Sequence, residues 1–161
     1  MNALLIWWQR LCEASAVLRF VDINLRGTGQ VMFQNNPLSG LLFFIAINWG
    51  SYAAGMPHIA IAGLVCVIVA TLTAQWLRVP PADLGAGLYG YNAYLVGLSF
   101  GTFLAVSPLW WVYVALGGAV SVVATLGTAN VFKTWGVAAL TAPFVLTAWL
   151  FLLATYVFSA I

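Results

Sequence analysis

The chain has 161 residues, 64% of them apolar and 5% charged, with five Lys or Arg against three Asp or Glu. An average soluble domain is about 25% charged, so this composition excludes a water-facing surface over most of the molecule and turns it toward lipid. Two cysteines, Cys12 and Cys66, are too few for a disulfide framework, and no spacing suggests a metal site.

By length the chain is one domain, read as an amphipathic and re-entrant segment over residues 1–35 and a five-helix bundle over residues 36–161. In residues 1–28, Leu4, Trp7, Trp8, Leu11, Ser15, Leu18 and Val21 recur near helical spacing. Arg10, Glu13, Arg19, Asp22 and Arg26 fall between them. That scatter of charge leaves no clean apolar core or cleavage site, so the segment does not read as a signal peptide. It suits a helix lying on the interface, or one that dips in and returns. Gly27-Thr28-Gly29 is expected to end it. Gln30 through Pro37 then brings four side-chain amides in seven residues directly against a membrane span.

Spans of about 20 residues cross a bilayer, and five follow: residues 37–54, 58–77, 87–105, 109–128 and 136–160. Gly and Pro turns join them. The single histidine, His58, follows Gly55-Met56-Pro57 and reads as an interfacial residue rather than a proton relay. Trp7, Trp8, Trp76, Trp110 and Trp111 read as an interfacial belt. Gly97-x-x-x-Gly101 and Gly117-x-x-x-Ser121 read as close helix packing. Pro143 lies six or seven residues into the last span, which predicts a break whose freed backbone groups face inward. Five spans place Arg10, Arg19, Arg26, Arg78 and Lys133 on the N-terminal side, so the positive-inside rule makes that side cytoplasmic. A bacterial inner membrane is the expected location.

Three clusters combine neutral hydrogen-bonding groups with aromatic rings: residues 30–37, 87–98 and 138–144. Gln30 and Phe33 are three apart, as are Thr141 and Phe144, while Tyr91 and Leu95 share a helix face. No carboxylate or lysine lies inside the five spans. A proton-coupled carrier needs an ionisable relay, and an ion channel needs charged rings or a carbonyl filter. Neutral donors and acceptors beside flat rings suit a small, neutral, polar, planar solute. The competing structural reading is that buried Asn and Thr tie helices together. No nucleophile–base pair or phosphate loop points to an enzyme, and neither a cofactor nor a nucleic-acid partner is expected.

At these clusters the chain resembles the urea transporter family. Residues 29–40, Gly-Gln-Val-Met-Phe-Gln-Asn-Asn-Pro-Leu-Ser-Gly, are similar to that family's N-terminal motif. Residues 87–98 resemble its G-L-x-G-[FY]-N-x-x-L-V-G-L stretch, and residues 137–144 its L-P-x-x-T-x-P-F signature, with Val137 and Ala138 in place of Leu and Pro. The resemblance implies an inverted-repeat pore fold of two halves, each with five spans and a tilted re-entrant helix, assembled as trimers. It implies passive urea transport through a narrow slot. Gln30 and Thr141 become polar contacts there, and Phe33, Tyr91 and Leu95 slot walls. Phe144 joins them through its cluster.

The chain matches only the first half of that fold, and a slot needs two walls. An inverted second copy, a separate half-length subunit, or the remainder of a longer chain would supply the other. The five-to-none split of Lys and Arg disfavours an inverted copy. The rivals to urea transport are a channel for short amides, ammonia or water, and a non-conducting half-length membrane scaffold.

Overall fold

The computed structural model describes residues 2–155. They form eight helices and no strand: α1 (Asn2–Ala14), α2 (Ala16–Gln30), α3 (Pro37–Ala53), α4 (His58–Trp76), α5 (Pro81–Gly85), α6 (Tyr91–Phe103), α7 (Pro108–Lys133) and α8 (Ala142–Thr155). The last residues of the fifth expected span, 156–160, lie outside the described residues.

The N-terminal segment is two helices rather than one. Ser15 separates them as an N-cap, its hydroxyl accepting the Leu18 amide at 3.4 Å. Gly27-Thr28-Gly29 does not end α2 as the sequence suggests; the helix runs through to Gln30. These glycines serve close approach instead. Gly27 lies against Gly90 and Val67, Gly29 against the backbone of Gln34 and Asn36, and a Cβ on Gly40 of α3 would overlap the Leu25 carbonyl. Thr28 Oγ1 donates to the Leu25 carbonyl at 2.8 Å and the Gly40 carbonyl at 3.2 Å, joining α2 to α3.

Two of the amides in the amide-rich turn have defined roles here. Asn36 caps α3 through the Leu38 amide at 2.9 Å. Arg26 holds Asn35 Oδ1 at 2.8 Å and is itself paired with Asp22 at 2.7 Å. Trp8 Nε1 donates to the same carboxylate at 2.6 Å, which ties α1 to α2.

Packing of α4, α6, α7 and α8 makes the core, around Cys66, Ala70, Ala93, Val96, Phe100, Trp110, Val114 and Val122. The small-residue stripes work as read. A Cβ on Gly97 would overlap the Ala62 carbonyl, and one on Gly101 would fall 2.5 Å from Ile59 Cα. One tryptophan departs from the belt reading: Trp110 is 0% exposed and donates Nε1 to the Phe100 carbonyl at 3.1 Å. Burying an indole is stable here because its single donor finds the Phe100 carbonyl, which also accepts the Leu104 amide at 3.1 Å. Trp76 is 80% exposed, and Trp7 and Trp111 are exposed too. His58 opens α4, with its ring 6.2 Å from that of Trp110.

Two helices, α4 and α7, are each long and apolar enough to cross a bilayer alone. The others are shorter: 17 residues in α3, 13 in α6 and 14 in α8. The third expected span, 87–105, becomes helical only at Tyr91, as α6; the short α5 precedes it, and a turn at 86–90 joins the two. The fifth, 136–160, begins as a helix only at Ala142. Pro143 is therefore not in a helix interior. It sits in the first turn of α8, where its missing N–H costs nothing. The break lies upstream at residues 137–141, and Leu140 has φ 45°. The fourth span runs five residues beyond expectation, to Lys133.

Exposed large apolar side chains, among them Leu42, Ile45 and Trp49 on α3, Val112, Leu116 and Val123 on α7, and Trp149, Leu150 and Leu153 on α8, coat the outside. A surface of that kind, with so few charges, belongs in lipid or against another apolar protein face.

Candidate functional site

The interruptions converge. The C-terminal end of α2, the 86–90 turn before α6, and residues 137–141 before α8 meet beside the last turns of α7. Together they line a cavity of about 320 Å³, whose walls include Gln30, Phe33, Asp83, Tyr89, Tyr91, Thr125 and Leu140. A larger concavity of about 590 Å³ is lined by α3 alone, through Phe44, Ile45, Asn48, Trp49, Tyr52 and Ala53. It is the outer surface of that helix and encloses nothing.

Close backbone approach builds the first wall. Gly87 has φ 74°, and a Cβ there would overlap the Gly27 amide nitrogen, so α2 can dock on the turn only because both residues lack side chains. That docking sets Gln30 Nε2 2.9 Å from the Ala86 carbonyl. The amide NH₂ is thereby engaged, and Gln30 Oε1 makes no hydrogen bond among the described residues. Phe33 follows in a turn with φ 55° and is 65% exposed. Among the described residues, Phe33 and Leu140 are two of the three non-glycine residues with positive φ, and both line the cavity. Backbone strain of this kind costs about 1–3 kcal/mol per residue and collects at functional positions.

Asn92 organises the second wall. It is fully buried, and Nδ2 donates to the Leu140 carbonyl at 3.3 Å and lies 3.5 Å from Thr125 Oγ1. Its Oδ1 accepts the Phe144 amide at 3.3 Å. The Tyr91 hydroxyl also donates to the Leu140 carbonyl. The freed backbone of the broken segment is thus satisfied by side chains from α6, as a chain in lipid demands. Thr125 sends its own proton to the Ser121 carbonyl at 2.8 Å.

Of the six residues singled out from sequence, the structure brings Gln30, Phe33 and Tyr91 together at the cavity. Leu95 lies one turn further along α6 from Tyr91, outside that lining, and is half-buried. Thr141 is half-buried at the start of α8; its carbonyl accepts the Val145 amide at 3.1 Å, and its hydroxyl has no hydrogen bond among the described residues. The Phe144 ring packs against the hydrophobic core rather than the cavity. Sequence reasoning did not single out Asp83, Thr125 or Leu140. It also passed over Asn92 as a functional position, although the motif containing it was noted.

The features described define an all-helical membrane protein whose helices are interrupted where they meet at a cleft that sets polar groups among apolar ones. Within that class, the chain belongs to the urea transporter family: the sequence profile described as Urea transporter matches residues 21–161. It is 34% identical over 148 residues to Urea transporter 1 of Rattus norvegicus, an alignment covering 90% of this chain and 37% of that protein. With the same coverage, identity is 33% to Urea transporter 1 of Mus musculus and 32% to that of Ovis aries. The chain therefore spans little more than a third of the length of the curated relatives it matches.

Proposed function

We propose that this chain forms one half of a passive, channel-like pathway for urea, with the cleft between α2, α6, α7 and residues 137–141 as its share of the pore. The observation that carries the reading is the cleft's chemistry. Gln30 Oε1 and the Tyr91 oxygen are acceptors left open beside flat or branched apolar groups, Phe33, Leu88 and Leu140. Such a surface offers partners to the N–H groups of a planar amide and cover to its faces. Each hydrogen bond offsets lost hydration by about 1 kcal/mol net, so no site holds the solute tightly.

Five crossings fit the helices: α3, α4, the α5–α6 pair, α7, and residues 137–155. The path of α2 supports a re-entrant role. Its Asn24 meets Thr71 at 3.0 Å, near the Trp76 end of α4, and its Gly27 meets Val67, near the middle of α4. The chain then turns at 31–36 and enters α3.

Phe33 and Leu140 line the cleft and are exposed, as are Met32 and Val137 beside the lining residues in sequence. These require cover, which a second half-domain provides. The biased placement of Lys and Arg favours a separate or continuing half over an inverted copy, and complete pores then assemble as trimers, as the family resemblance implies. Residues 1–35 act with the bundle as one membrane domain, its N-terminus cytoplasmic.

Thr141, Leu95 and Phe144 belong to the same pathway in this reading, deeper than the cleft mouth. The test is stopped-flow light scattering on proteoliposomes. Thr141→Val is expected to lower urea flux while leaving oligomer size and thermal stability unchanged, because its hydroxyl makes no hydrogen bond among the described residues. Unchanged flux in a conducting preparation removes Thr141 from the pathway.

A further inference from the structure

We infer that the cleft mouth is also a binding subsite for small planar organic cations of the guanidinium type, with Asp83 supplying the charge. Asp83 stands in α5, is half-buried, and lines the same cavity as Gln30, Phe33 and Tyr91. Its carboxylate has neither an ion-pair partner nor a hydrogen bond among the described residues. Arg26, whose backbone lies against the docked turn at Gly87, is committed to Asp22 and Asn35. Arg78 and Lys133 are exposed and form no ion pair with it.

The rest of the lining has the matching polarity. Gln30 spends its NH₂ on Ala86, Tyr91 its proton on Leu140, and Thr125 its proton on Ser121. What they leave for a ligand is oxygen lone pairs; Tyr89 alone brings a hydroxyl without a hydrogen bond. A ligand that satisfies several acceptors and one negative charge must be rich in N–H donors and carry a positive charge. Phe33, Leu88 and Leu140 favour a flat one. Guanidinium combines those properties, and its weak hydration lowers the cost of leaving water. Urea has the same planar shape without the charge, so a cation at Asp83 stands in its way. The binding claim goes beyond the urea reading; the competition claim rests on it.

Equilibrium dialysis of the purified chain against millimolar radiolabelled guanidinium chloride tests the subsite without any transport. Saturable binding to the wild type is expected. Asp83→Asn should weaken it about tenfold, Asp83→Glu should largely keep it, and Glu13→Gln on α1 should leave it unchanged. Added NaCl should weaken it, since a half-exposed charge is screened. Absent wild-type binding, equal binding in Asp83→Asn, or equal loss in Glu13→Gln would each overturn the inference, as would loss in Asp83→Glu with the protein still monodisperse. In proteoliposomes, guanidinium should slow urea entry in the wild type and not in Asp83→Asn. If the wild type passes no urea, the urea reading falls while the dialysis result still decides the subsite.

Discussion

Asn92 spends its side chain on residues far along the chain: Thr125 of α7, and Leu140 and Phe144 on either side of Thr141. Removing it strands a part-buried Phe144 amide and takes one of two donors from the Leu140 carbonyl. A buried group left unsatisfied costs about 1–3 kcal/mol, a large share of the stability of a small domain. Asn92→Leu is therefore expected to lower the thermal unfolding temperature in detergent and to abolish flux together, whereas Thr141→Val lowers flux alone. Equal stability of Asn92→Leu and wild type would show that the broken segment is held by something else. This division explains what was legible at the level of residues. Gln30, Phe33 and Tyr91 sit in motifs with local helical spacing, so sequence could bring them forward. Asn92 serves partners up to 52 residues away, a relation that no local period encodes. Asp83 and Leu140 become part of a site only once α2 has docked on the 86–90 turn.

Helices were legible where their boundaries follow local rules. Pro37, Pro108 and the Ser107 and Asn36 caps mark starts that the structure keeps. Glycine was harder to read, because the same residue either ends a helix or lets another backbone approach, and only the neighbour decides. Gly97 and Gly101 show the spacing that signals approach; Gly27 and Gly29 do not, and by local rules alone they read as a stop. The same distinction gives a paired test. Gly50 in α3 has nothing within 4 Å of an added Cβ, while a Cβ on Gly97 overlaps the Ala62 carbonyl. Gly50→Ala is expected to leave stability unchanged or to raise it by up to about 1 kcal/mol, through helix propensity. Gly97→Ala must part α4 from α6 and should cost about 1–3 kcal/mol. Thermal unfolding of the two variants side by side checks this, and a Gly97→Ala protein as stable as wild type would mean that the α4–α6 contact is looser than described.

For the molecule as a whole, membrane residence follows from composition, because the charges are too few to cover a surface in water. The broken third and fifth spans were legible only in part, since an interruption stabilised by distant side chains leaves a local sequence that still reads as apolar. What completes the pore turns on orientation. An inverted pair needs copies inserted both ways; a separate or continuing half needs one way. The helix α7 decides between them experimentally. Its 26 residues span about 39 Å, enough to place Val106 and Trp135, just beyond its ends, on opposite faces of a bilayer. Both are exposed, while the native Cys12 and Cys66 are buried. In the proposed five-crossing orientation Arg78 and Lys133 share the Trp135 end, which the positive-inside rule would make cytoplasmic. An impermeant maleimide applied to intact cells is then expected to label Val106→Cys and to reach Trp135→Cys only after permeabilisation. Labelling of both variants in intact cells, each to about half, would show dual insertion, restore the inverted copy as the missing wall, and make the five-to-none charge bias irrelevant to assembly. Labelling of Val106→Cys alone leaves the exposed rim around Phe33 and Leu140 to be covered by a half that is not this one.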